Sequence, residues 1–210
     1  MEHSTLILTL PVWIATFIER YSFPLVSTES RMEFVVALAL ENIKRKSGGP
    51  FAAALFNSET GDLIAPGVNR VVPLNCSIAH AEIMAIGLAQ QQLGTYDLGG
   101  PDQPVIELVT STEPCAMCLG AIPWSGIRKV VCGATDADAR SAGFDEGTKP
   151  QDWVAVLEQK GITVVTGVCA REAALVFTTY KDADGVIYNG RATGDPLVAA
   201  KEGVNCRVNR

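Results

Sequence analysis

The sequence predicts an α/β domain in which a sheet containing parallel strand pairs is covered on both faces by helices. Three observations carry that expectation. Apolar runs of strand length alternate with segments of helical period along most of the chain, and the strands are spaced widely enough for crossover helices. A length of 210 residues, 48% of them apolar, with a mean hydropathy of +0.20, suits a single core that needs no disulfide staples.

The elements follow in order. The opening apolar run, Leu6 to Ile18, is broken by Pro11 and falls short of the roughly 20 residues a membrane span needs. No Lys or Arg precedes Arg20, so a signal peptide is not expected either, and Leu6 to Phe23 reads as an added strand or arm that packs on the body or on a second subunit. Ser30 and Glu33 match a capping box, and Met32, Val35, Val36, Ala39, Leu40 and Ile43 recur at helical intervals. A helix from about Ser30 to Arg45 is predicted, stopped by Ser47-Gly48-Gly49-Pro50. Phe51 to Asn57 is a strand, and the turn residues Ser58 to Asp62 lead into Leu63 and Ile64 as a β-hairpin. Ala79 to Leu93 reads as a largely buried helix closed by Gly94. Then come a strand at Val105 to Val109, a helix at Pro114 to Ile122, a strand at Lys129 to Cys132, a helix near Gln151 to Gln159, a strand at Ile162 to Val165 and a helix at Ala170 to Phe177. Beyond Lys181 the chain turns rich in Gly, Asp and Asn. The expected division is an N-terminal arm over 1–29, a domain over 30–180 and a C-terminal tail over 181–210.

Seventeen Lys and Arg stand against 23 Asp and Glu, a net charge of −6. That balance offers no general electrostatic grip on polyphosphate and argues against nucleic acid or an anionic membrane as partner. Six cysteines are dilute, and two of them form a C-x-x-C, which points to a reducing, cytoplasmic setting.

Chemistry concentrates in His80-Ala81-Glu82 and Pro114-Cys115-Ala116-Met117-Cys118. Cys115 and Cys118, three apart, lie on one side of a helix, and its N-terminus favours thiolate, with Pro114 expected at the first helical position. Two thiolates balance a divalent ion. A neutral imidazole from His80 makes three protein ligands and leaves tetrahedral zinc a fourth place for water, the arrangement of catalytic rather than structural sites. Glu82 is then the proton carrier, not a fourth ligand. Residues two apart on a helix point about 200° apart, so His80 and Glu82 converge only if the helix begins at Ala79 or His80. Thiol–disulfide exchange at the two cysteines is the competing chemistry, disfavoured because metal-bound thiolates are not free to exchange.

His80-Ala81-Glu82 followed by Pro114-Cys115-x-x-Cys118 is the H-x-E…P-C-x-x-C signature of zinc-dependent nucleobase deaminases. Over roughly Met32 to Phe177 the chain resembles the cytidine deaminase-like superfamily, and within it the guanine deaminase branch. The narrower likeness rests on Gly49-Pro50-Phe51-Ala52-Ala53, Val68-Asn69, Thr112 to Ile122, Trp124 and Ala142-Gly143-Phe144-Asp145-Glu146. Transfer-RNA adenosine deaminases share the zinc motif without the acidic pair of that last segment. The resemblance implies a three-layer α/β/α fold on a central five-stranded mixed sheet, one zinc ion per subunit, a homodimer and a tail that folds over a pocket.

Guanine presents donors at N1 and its 2-amino group, and a carboxylate that accepts from both would select it over adenine or cytosine. Glu146 is the candidate, with a solvated loop acid as the alternative. Asn69 can pair with a ring nitrogen or the 6-oxo group, Phe51 and Trp124 are candidates to stack on the base, and Tyr188 is a candidate lid. Thr112 and Glu113 are expected to cap the cysteine helix, and Cys76 and Cys132 to serve as packing. The expected reaction is hydrolytic deamination of guanine, a small-molecule purine base, to xanthine and ammonia. The alternatives are another nucleobase, a nucleoside or transfer-RNA adenosine as substrate and, from a different class, a zinc-stabilised interaction subunit without catalysis.

Overall fold

The structure is a computed structural model that describes residues 6–190; Cys206 and the tail past Gly190 lie outside the described residues. Strands β1 (Ala52–Asn57), β2 (Leu63–Val68), β3 (Ile106–Thr112), β4 (Lys129–Ala134) and β5 (Thr163–Val165) form one sheet in the order β2-β1-β3-β4-β5. β1 runs antiparallel to β2 and β3, while β3, β4 and β5 run parallel, so the sheet is mixed and five-stranded as expected. The helices are α1 (Trp13–Ile18), α2 (Thr28–Lys44), α3 (Val71–Leu74), α4 (Ala81–Leu93), α5 (Ala116–Ser125), α6 (Asp136–Ala142), α7 (Trp153–Glu158) and α8 (Ala170–Asp182).

Alternation along the strands splits the core into two layers. Ala52, Ala54 and Phe56 pack against Met32, Val35 and Ala39 of α2 and Val176 and Phe177 of α8. Ala53 and Leu55 face the other way, onto Ala81, Ala85 and Ala89 of α4, Ile122 of α5 and Leu157 of α7. Alanines four apart let α4 approach the sheet closely. Gly67 of β2 takes this furthest, since a Cβ there would stand 2.1 Å from the carbonyl oxygen of Ala81. On β3 the fully buried Glu107 is neutralised by Arg31 of α2 and by Lys129 at 2.9 Å, tying helix and strands together through charge rather than apolar contact.

Several local expectations need correction. The arm contains helix α1, whose Trp13, Ile14 and Phe17 join the core against α2. The N-cap of α2 is Ser27, whose hydroxyl oxygen accepts from the Ser30 amide at 3.0 Å; Ser30 is already helical. Pro114 lies outside its helix, because Cys115 is the N-cap of α5 with ψ 170°. Glu113 does not cap α5; it accepts from the Asp136 amide at 3.1 Å and so secures the start of α6. Helices α3 and α6 were not foreseen, although Thr135 and Asp138 form the reciprocal capping box of α6, a pattern present in the sequence.

The carboxyl ends of β2, β3 and β4 lie at one end of the sheet, together with the N-termini of α4 and α5. Crevices of α/β sheets form at such an end.

Candidate active site

His80 is the N-cap of α4, with extended backbone (φ −71°, ψ 155°), and its carbonyl accepts the first helical bond from Met84 at 2.9 Å. Standing just outside the helix, it escapes the 200° separation that would turn it away from Glu82. Cys115 occupies the same position on α5, and Cys118 lies in the first turn. The imidazole Nδ1 is 3.5 Å from the Cys115 sulfur and 3.7 Å from that of Cys118. Zinc–sulfur bonds near 2.3 Å and a zinc–nitrogen bond near 2.0–2.1 Å, at tetrahedral angles, require a nitrogen–sulfur separation of about 3.6 Å. The donor set fits zinc. Among the described residues these three form the one His, Cys, Asp or Glu cluster spaced to hold a metal.

The charges here are coupled. A hydrogen bond from the Cys118 thiol, with His80 alongside, brings Cys115 down to about 4, and the same contact together with burial pushes Cys118 up. Burial works to lower His80, but its hydrogen bond to Cys115 and the nearby Glu82 charge prevail and leave it raised. Glu82, buried in the first turn of α4, is pushed up by burial and by the Cys115 charge. Cys132 is fully buried and its thiol is pushed up by desolvation, consistent with a packing residue.

A cavity of about 250 Å³ opens beside the triad, lined by Phe51, His80, Glu82, Cys115, Glu146 and Tyr188 together with Val71, Ser77, Glu113, Phe144, Asp145, Asn189 and Gly190. Glu146 is carried there by the loop after α6. Its carbonyl accepts from the Ala116 amide at 2.9 Å, and Gly147 follows with φ +69°, a left-handed turn that glycine enters without strain. Burial, then the charge of Cys115, raises the Glu146 carboxyl to about 8.

Asn69 directly follows β2 and is buried. Its amide donates to the Phe51 carbonyl at 2.9 Å and its Oδ1 accepts from the Val71 amide at 3.2 Å, whereas its Nδ2 has no hydrogen-bond partner among the described residues. The Tyr188 hydroxyl is also buried and makes no well-formed hydrogen bond among the described residues; burial pushes it up, against a smaller lowering by the adjacent Asn69 side chain. Tyr188 lines the cavity, and the Asn69 side chain lies beside its hydroxyl. Gly49 leaves room for both, as a Cβ there would be 3.1 Å from Asn69 Oδ1 and from the Tyr188 hydroxyl.

The tail reaches the cavity because Asn189 fastens it. That side chain donates to the Gly143 carbonyl at 2.9 Å and accepts from the Asp145 amide at 2.8 Å, while the Tyr180 hydroxyl donates to the Val186 carbonyl at 2.8 Å. Phe51 and Phe144 meet edge-to-face at 4.9 Å, and Phe144 and Tyr188 at 5.6 Å. Trp124 is placed elsewhere. It is 88% exposed near the end of α5, lining a separate groove with Gly120, Pro123 and Lys149, so the structure does not bring it to the cavity. The sequence reading also passed over Ser77 and Asn189.

Residues 26–134 match the cytidine and deoxycytidylate deaminase zinc-binding region, and the chain belongs to that family of zinc-dependent deaminases. Within it, the chain is similar to the guanine deaminase of Bacillus subtilis, at 42% identity over 118 residues, 56% of this chain and 71% of the relative. A solved guanine deaminase from Nitrosomonas europaea shares 44% identity and a TM-score of 0.81, covering 87% of this chain and 99% of that one. A variant of NE0047 solved in complex with 8-azaguanine shares 45% identity and a TM-score of 0.80, over 85% of this chain and 98% of its own.

Proposed function

We propose that this chain hydrolyses guanine to xanthine and ammonia. The observation that carries the proposal is a cavity lined by His80 and Cys115 of the metal-ligand triad, by the buried carboxyl of Glu146 and by Tyr188, with the buried side chain of Asn69 beside the Tyr188 hydroxyl. Guanine offers donors at N1 and the 2-amino group and acceptors around the rest of its edge, the complement of Glu146 and Asn69. The similarity to guanine deaminases, one relative being bound to a guanine analogue, supports the same substrate.

His80, Cys115 and Cys118 would hold one zinc ion per subunit. Zinc, when bound, supplies a Lewis acid that makes water nucleophilic near neutral pH. Glu82 takes a proton from the water that attacks C2 and delivers it to the departing 2-amino nitrogen; the C2–N bond breaks, ammonia leaves and the oxygen stays on C2. Glu146, ionised once a bound metal offsets the Cys115 thiolate charge that, after burial, helps to raise it, would accept from N1 and the 2-amino group and so fix which carbon faces the attack. Asn69 holds the opposite edge, Phe51 packs on the ring and Tyr188 closes over it, keeping bulk water out.

In this reading the described part of the arm, residues 6–29, packs on the deaminase domain over 30–180, and the described part of the tail, residues 181–190, covers the site; 1–5 and 191–210 lie outside the described residues. The chain works in the cytoplasm, supported by free cysteines at Cys76, Cys115, Cys118, Cys132 and Cys169. It works as a homodimer, supported by the exposed Trp124 and Met117 on α5. Among the described residues no helix is long and apolar enough to cross a membrane.

The test is ammonia and xanthine release by zinc-loaded protein from guanine, against adenine, cytosine, their nucleosides and RNA. Guanine is expected to be turned over far faster than the others. Preference for adenosine in RNA, or no ammonia from guanine, would overturn the proposal.

A further inference from the structure

Asn69 is held in place by a residue from a distant part of the chain. Asn42, near the end of α2, is fully buried on the face that carries Ala39 and Ile43, where helical patterning expects an apolar side chain. Both hydrogens of its amide are used: Nδ2 donates to the Gly49 carbonyl at 2.9 Å and to the Asn69 carbonyl at 3.1 Å. Its oxygen accepts from the Ser47 hydroxyl at 2.8 Å, and Ser47 in turn accepts from the Trp13 indole N–H at 3.0 Å. The chain of donors runs in one direction. Reversing the amide would set its oxygen against two carbonyl oxygens, so the network fixes its orientation.

The two carbonyls that Asn42 grips belong to the two strips of backbone that lead into Phe51 and Val71, both of which line the cavity. Gly48 and Asn69 are packed so tightly that a Cβ on Gly48 would stand 1.8 Å from the Asn69 oxygen, so neither strip can shift alone. We infer that Asn42 is a positioning residue for guanine recognition, setting through its amide the place of Asn69 and Gly49, with Ser47 and Trp13 orienting that amide in turn. The inference rests on the proposal that Asn69 meets the purine. It gives a purpose to a buried polar side chain that otherwise breaks the apolar face of α2.

The test is a double-mutant cycle on zinc-loaded protein, read as kcat and KM for guanine with zinc content measured alongside. Asn42→Ala is expected to raise KM about ten-fold while kcat stays within about three-fold, because the reacting groups keep their places and only the base loses a partner. In an Asn69→Ala background the same change is expected to add less than about two-fold, since its route of action is gone. A full multiplicative effect in that background, or a fall in kcat and zinc content at unchanged KM, marks a merely structural role and overturns the inference. Should Asn42→Ala not fold, Ser47→Ala decides the matter: a KM raised by about three-fold or more supports the relay, and a parental KM refutes it. Failure of the substrate proposal has a different signature, because the parent protein itself would then leave guanine unchanged.

Discussion

Replacing Gly67 by Ala adds one methyl group where β2 meets the start of α4. The new Cβ would lie 2.1 Å from the Ala81 carbonyl oxygen and 2.7 Å from the Ala85 amide nitrogen, both backbone atoms of the helix, so no side chain can swing aside. Ordinary contact begins near 3.4 Å, and the first turn of α4 must therefore retreat by about 1.3 Å. His80 and Glu82 ride on that turn. Ligand distances tolerate about 0.2 Å, and a misplacement of about 1 Å at reacting groups costs roughly 100-fold in rate. Gly67→Ala is thus expected to bind zinc more weakly and to lose about 100-fold in kcat/KM for guanine, on top of an overpacking penalty of about 1–3 kcal/mol in stability. Zinc competition against a chromophoric chelator, turnover at saturating zinc and a denaturant melt measure the three effects. Gly87→Ala, on the same helix with nothing within 4 Å of its Cβ, is the control and should gain about 0.5–1 kcal/mol with parental activity. A Gly67→Ala protein with full zinc affinity and parental turnover would refute the close approach of β2 and α4 as what positions the triad.

Glu82→Gln should keep its zinc and melting temperature while turnover falls by about 10²–10⁴-fold, and ammonia release at the parental rate would reject it as proton carrier. Glu146→Gln should cut guanine turnover roughly ten-fold or more without loss of zinc, measured as xanthine formation against metal content; unchanged kinetics would remove it from substrate recognition. Tyr188→Phe removes a buried hydroxyl that lies beside the Asn69 side chain, so KM for guanine should rise while the ligand-free melting temperature changes little, and a parental KM would remove the hydroxyl from substrate binding. For Asp136, burial raises the carboxyl but Arg140 and Lys149 outweigh it and hold it below 3.8, the ordinary value. A carboxyl lowered on folding contributes stability that is present above its unfolded pKa and lost as pH falls through the folded one. Asp136→Asn should therefore be less stable than the parent at pH 7 and converge with it in acid melts below pH 3.8.

The metal triad was legible because its chemistry is local in sequence. A C-x-x-C at the mouth of one helix and a histidine at the mouth of another each fix a direction before any packing is known, and the need for His80 and Glu82 to converge predicted a helix starting at Ala79 or His80; His80 is its N-cap. The sheet was legible from strand-length apolar runs, since burial on both faces leaves little else to read. Boundaries were harder. Ser27 and Ser30 compete to cap α2, and the pattern Ser30-x-x-Glu33 favoured the wrong one; Cys115 took the cap position that Pro114 seemed to announce. Helix α6, short and built of Asp and Ala, lacks an apolar period. Trp124 stands apart from the cavity for a physical reason: sequence nearness to Cys118 places it on the same helix but says nothing about which side faces the cavity. Asn189 reaches the cavity from late in the chain and Asn42 of α2 meets the carbonyls of Gly49 and Asn69, and only the tertiary fold reveals such meetings.

The Asn189 contacts also bear on how a base gets in and out. Two amide hydrogen bonds to the Gly143–Asp145 loop hold the tail across the cavity, together worth about 1–3 kcal/mol. In the proposed reading, with the tail as cover, a fastening of that strength taken alone is undone in roughly one molecule in six to one in 160 at any instant, and purine exchange would need only the peeling of a few residues. On that reading the departure of xanthine would be governed by a segment that lies apart from the metal ligands, and the speed of the whole cycle could be tuned there while the bond-breaking machinery stays untouched.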